Sequence, residues 1–151
     1  MPPEPLTPSG HPVGTACDAR GADWAGIHLG DSDLSEARLC RVDLRGADLS
    51  GYQLDGTDLR LARYNSATRW PENFDFRSSG AVGPHARLSG SFLDSADLAG
   101  MDLNEAILIG AYLSVADLSG ACLRGARLAG ADLRHALLHS GLCEGVRFSG
   151  C

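Results

Sequence analysis

The sequence predicts a repeat solenoid built from five-residue units, and three observations predict it. Leucine returns at every fifth place through Leu88, Leu93, Leu98, Leu103, Leu108, Leu113, Leu118, Leu123, Leu128, Leu133 and Leu138, with Cys143 and Phe148 holding the next two places. Two residues before each stands a residue that is nearly always small, such as Ala96, Ala106, Ala116, Ala126 or Ala136. The period of five fits neither the 3.6 of a helix nor the 2 of an ordinary strand, so it is a repeat signal.

Blocks such as Ala-Asp-Leu-Ser-Gly (116–120) and Ala-Asp-Leu-Arg-His (131–135) resemble the units of the pentapeptide repeat family. The resemblance implies an all-β fold, a right-handed quadrilateral β-helix in which four blocks make one turn and the leucine and the small residue point inward. Elementary packing agrees with it. A backbone that corners every five residues buries one large apolar group per side, and the second inward position has room only for Ala, Ser or Gly. Turns stacked like strands would rise by about 4.8 Å each. Asp, Ser, Arg and Gly at the remaining positions suit corners and a solvated surface.

Taken in order, residues 1–15 form a tail, because Pro2, Pro3, Pro5, Pro8 and Pro12 remove backbone donors and fix φ. A first array spans 16–64. It begins weakly at Cys17 and Ala22, then settles into phase from Leu29 to Leu59 and ends on Tyr64. Ile27 and Tyr52 are large for the small inward position, and a bulge or widened corner is expected near Tyr52. Period is lost over 65–85, a loop insertion. There Thr68-Arg-Trp-Pro-Glu-Asn-Phe74 is similar to a loop that follows the repeats in bacterial members of the family, although here a long second array follows. Leu88 lies 24 residues after Tyr64, not a multiple of five, so 65–85 either loops out of one β-helix or separates two arms. The second array occupies 86–151. Its last apolar places, Leu138, Cys143 and Phe148, are expected to form an uncapped end that packs on a second copy about a two-fold axis. The resemblance implies the same, since gyrase-inhibiting members pair through their C-terminal ends.

All 13 basic residues are Arg, against 19 acids, for a net charge of -6. Such a chain repels nucleic acid, which argues against direct DNA or RNA binding. No basic residue stands between Leu88 and Leu123, where Asp94, Asp97, Asp102, Glu105 and Asp117 do. With twenty residues per turn, Asp97 and Asp117 share one outward column, as do Asp23 and Asp43. Outward apolar residues are rarer: Phe92 and Tyr112 share a column, and Ile107 and Ile109 flank Leu108, so these four form a candidate apolar patch.

The start lacks the basic and apolar regions of a signal peptide, and no stretch reaches membrane-spanning length, so a cytoplasmic location is expected. The five cysteines form no Cys-x-x-Cys pair. His135 and His139 lie on successive sides of such a coil and make a poor metal pair. No Gly-x-Ser-x-Gly elbow or phosphate-binding glycine loop is present, so no catalytic residue, metal or cofactor is expected.

The resemblance implies a function as well: imitation of duplex DNA by an acidic dimeric rod that occupies the DNA saddle of a type II topoisomerase. On that reading Asp94, Asp97, Asp102, Glu105 and Asp117 supply charge, while Arg69, Trp70 and Phe74 of the loop touch the enzyme. The alternatives are a protein-interaction scaffold using the Phe92, Tyr112, Ile107 and Ile109 patch, and an enzyme or small-molecule binder with a pocket under the loop.

Overall fold

The structure, a computed structural model, describes residues 16–28, 30–141 and 145–151. Two compact units divide the chain, Met1–Ala81 and Val82–Cys151. In both, the backbone returns on itself and forms parallel bridges, nearly always between residues twenty apart.

Few residues count as strand because each side offers room for little more than one bridge before the chain corners. In unit 1 the two strands are β1 (Ser32–Asp33) and β2 (Tyr52–Gln53), parallel, with Ser32 paired to Tyr52 and Asp33 to Gln53. Single bridges join Asp18 to Arg38 to Asp58, and Asp23 to Asp43 to Arg63. The inward residues Leu34, Leu39, Leu44, Leu49 and Leu59 are buried, and Trp24 and Tyr64 occupy leucine places with equal burial. Each such side chain stabilises the coil by about 2 kcal/mol through removal from water.

The twenty-residue register holds at Tyr52, which pairs with Ser32, but the expected irregular corner is there: Gly51 lacks the positive φ of the corners at Gly46 and Gly56, and one turn earlier Gly30 takes it in place of Asp31. The extra residue enters later, where Asp48 bridges Arg69 at a spacing of twenty-one. Two side chains sew this longer side into the coil. Thr68 Oγ1 donates to the Leu44 carbonyl at 2.8 Å, and Asn65 Oδ1 accepts from the Gly46 and Ala67 amides, each at 3.0 Å. Residues 65–70 therefore continue the coil by one more side. Beyond them Phe76–Ser78 make one short 3-10 turn.

Aromatic rings close the same region. Trp70 stacks on Phe76 at 5.4 Å and on Phe74 at 5.6 Å, and Tyr64 meets Trp70 and Phe76 edge-on at 5.5 Å each. Offset and T-shaped pairs of this kind add to area burial.

Unit 2 is the more regular. Its four columns of bridges run Arg87–Ile107–Arg127–Arg147, Phe92–Tyr112–Asp132, Asp97–Asp117–Leu137 and Asp102–Cys122. Each bridge is held on both flanks: the Leu98 amide donates to the Asp117 carbonyl, and the Asp117 amide to the Ala96 carbonyl. Leu98 and Leu118 thus lie in one ladder with Leu138, the first two buried and the last at the margin.

In unit 2 corners fall every five residues with φ positive, and many are not glycine. Ser95, Glu105, Val115, His135 and Ser140 take φ between 55° and 64°. A left-handed corner costs an L-residue roughly 1–2 kcal/mol, and the flanking bridges impose it.

Candidate binding surfaces

Where an aspartate stands just before the inward leucine place, which Ala19 fills after Asp18, it has a local task. Its Oδ1 accepts the amide two residues on, as Asp97 does from Ala99 (3.2 Å), Asp102 from Asn104 (3.0 Å) and Asp117 from Ser119 (2.9 Å). This Asx turn leads the chain into the corner and explains why the residue recurs.

Four of these aspartates also grip an arginine two residues on. Asp18–Arg20, Asp43–Arg45, Asp58–Arg60 and Asp132–Arg134 are bidentate forks, with Nη2 to Oδ2 distances of 2.8, 2.6, 2.7 and 2.6 Å. The fork holds the carboxyl down: Asp132 falls from 3.8 to about 2, chiefly through the Arg134 hydrogen bonds, and Asp58 falls further. Forked charges cancel on the surface.

Asp97, Asp102 and Asp117 carry Ala99, Asn104 and Ser119 where the forks have Arg. Asp97 and Asp117 are bridge partners, so two carboxylates stand one turn apart on one side before the column ends in Leu137. The Ser119 hydroxyl and amide both lower the Asp117 carboxyl, which keeps it ionised. Asp102 lies on the following side, half-buried, above which comes Cys122. Asp94 and Glu105 are exposed near corners, and Glu105 Oε2 lies 3.4 Å from His85 Nδ1.

Basic residues have columns of their own. Arg87, Arg127 and Arg147 share one with Ile107, which places Ile107 half-buried between arginines and on a different side from Phe92 and Tyr112. Phe92 and Tyr112 do come together: their rings stack at 5.0 Å and 11°, with 79% and 45% of each residue exposed. Val115, at the next corner, is 55% exposed. Corner positions elsewhere are mostly polar or glycine, so only its place five before the glycine corner at 120 marks Val115 in the sequence as a corner residue.

Of the three loop residues, Arg69 is exposed and lies 3.4 Å from Asp48. Trp70 and Phe74 are half-buried in the aromatic cluster of unit 1, and the indole N–H of Trp70 has no hydrogen-bond partner among the described residues. Leu138 and Phe148 are exposed at 36% and 38%, whereas Cys143 lies outside the described residues. Among the described residues no three metal-ligating side chains gather, and no helix is long and apolar enough to cross a membrane.

In-register bridges, corners every five residues and an inward leucine ladder define a β-helix. Pentapeptide repeats match in eight copies over residues 15–51, 25–60, 85–120 and 112–151. The chain belongs to the pentapeptide repeat family.

Solved structures with the same repeat include HetL, a pentapeptide repeat protein involved in heterocyst differentiation regulation in the cyanobacterium Nostoc sp. strain PCC 7120. HetL is 26% identical, with 87% of this chain covered and a TM-score of 0.34. The chain spans only 60% of HetL's length. Rfr23 of the cyanobacterium Cyanothece 51142 is 20% identical over 87% of this chain and 90% of Rfr23, with a TM-score of 0.29. A trypsin-treated form of QnrB1, a plasmid-mediated fluoroquinolone resistance protein, is 16% identical over 93% of this chain and 67% of that one, with a TM-score of 0.37. No curated protein matches the chain.

Proposed function

We propose that this chain is a non-catalytic binding protein that presents the carboxylates of unit 2 to the DNA-binding surface of a type II topoisomerase, and so modulates or protects that enzyme. One observation carries the reading. Asp97, Asp102 and Asp117 sit on two successive sides and carry Ala99, Asn104 and Ser119 where Asp132 has Arg134, so the arginine fork that cancels charge at Asp132 is not built at these three. A row of fixed carboxylates on a stiff backbone offers a cationic groove what a phosphate strand offers it. Asp94 and Glu105 widen the negative zone at nearby corners. We read the coil itself as right-handed and four-sided.

A DNA gyrase supercoiling assay, with and without a quinolone, tests the reading on the full chain. Replacing Asp94, Asp97, Asp102 and Asp117 by Asn, and Glu105 by Gln, removes charge while Asn keeps the Asx turn. The wild-type chain should alter supercoiling or drug sensitivity and the five-fold variant should not. Equal effects from both chains, or none from the wild type, would refute the proposal.

A further inference from the structure

We propose that the chain pairs with a second copy of itself side-on, through the Phe92–Tyr112 side of unit 2, the two coils running parallel about a two-fold axis along their length. The proposal does not depend on the topoisomerase reading, and since the pair covers the Asp97–Asp117 column from one flank, dimer and topoisomerase would compete for it.

The centre of the surface is apolar. On one turn the chain presents half-buried Ile109 at the corner before the side, Tyr112 on the side and Val115 at the corner after it, with Phe92 stacked one turn away. Exposed apolar surface of this continuity marks an interface, and aromatic anchors dominate the affinity of such interfaces. The sole charge on the column, Asp132, is closed in its fork with Arg134 at 2.6 Å, so it brings little net charge to the axis.

The flanks select the partner. In chain order the columns are Arg87–Ile107–Arg127–Arg147, then the aromatic column, then Asp97–Asp117–Leu137. The aromatic side therefore has arginines on one flank and aspartates on the other. A two-fold axis parallel to the coil turns the second copy so that its aspartate flank lies beside the first copy's arginine flank, and the reverse on the far edge. Arg87 then neighbours the partner's Asp97, and Arg127 the partner's Asp117, each half a turn apart in height. An antiparallel two-fold would set arginine flank against arginine flank, so charge chooses the parallel arrangement.

A second fact points the same way. Arg127 and Arg147 are direct bridge partners, a like-charge pair that opposes folding, and neither makes an ion pair among the described residues. A neighbouring carboxylate column relieves that repulsion. The same symmetry sets Ile109 of each copy at the height of the partner's Val115, apolar against apolar. Such an interface is isologous and closes at two copies.

Analytical ultracentrifugation of the full chain tests this. The wild type should sediment as a dimer whose dissociation constant rises with salt. Phe92→Asp alters an exposed ring, leaves the circular dichroism spectrum unchanged, and should weaken the dimer by roughly 30-fold or more. Arg127→Asp and Asp117→Arg should each weaken it by about tenfold, and the chain carrying both should recover, since two-fold symmetry restores both pairs. Monomers at every concentration would overturn the proposal. So would a dimer that survives Phe92→Asp but is lost in Phe148→Arg, which marks end-on pairing, or a double variant no better than its parents.

Discussion

Replacing Leu118 by Ala measures the inward ladder directly. Leu118 is fully buried and lies between Leu98 and Leu138, its amide bonded to the Leu137 carbonyl on one face of the coil. Truncation removes three carbons, which at about 0.8 kcal/mol each is ~2.4 kcal/mol of lost transfer free energy. The hole left behind cannot close, because bridges tie the backbone above and below, so a cavity cost brings the total to about 3–4 kcal/mol. Leu138, 36% exposed at the end of the ladder, has less to lose, and Leu138→Ala should cost about 1 kcal/mol. Urea titration followed by circular dichroism reads the difference as a shift of midpoint at constant slope. Equal costs at the two positions would mean that the leucines do not stack as a ladder, and the packing account would fail.

Gly130→Ala tests the corners. Nothing lies within 4 Å of the added carbon, yet φ is +68°, so the cost is purely conformational, about 1 kcal/mol in the same titration; an unchanged midpoint would count against the corner strain. The fork at Asp132 predicts acid sensitivity of a definite sign. Its folded pKa is depressed from 3.8 to about 2, so its stabilising effect is complete above pH 4 and is lost as pH falls through 2. Arg134→Gln should flatten the fall in urea midpoint across that window, and an identical pH profile in variant and wild type would show the fork to be idle.

The leucine ladder was legible because its period is unlike that of a helix or a strand and admits few other burial patterns. Its twenty-residue return followed, and with it the pairing of Asp97 with Asp117 and of Phe92 with Tyr112. The fork pattern was less visible, since Asp-x-Arg reads as two surface charges until the Asx turn shows that the carboxylate also bends the chain. Residues 65–70 read as the loss of the repeat, because leucine places six apart, Tyr64 and Trp70, break a count of five. The structure keeps them in the coil through Asn65 and Thr68, whose side chains supply the bonds that the longer side needs. The patch was partly legible: the aromatic pair stacks as its spacing implies, but Ile107 belongs with arginines twenty residues away on either side, a neighbourhood that reading five residues at a time conceals.

Because almost every bridge joins residues about twenty apart, tension applied to the two termini would act on one turn at a time. Each turn that peels away would pay out roughly 70 Å of extended chain. The force record should then be a staircase of similar small steps, unlike the single rupture of a sandwich whose strands share one shear line. The longer side sewn by Asn65 and Thr68 would give a step of its own length.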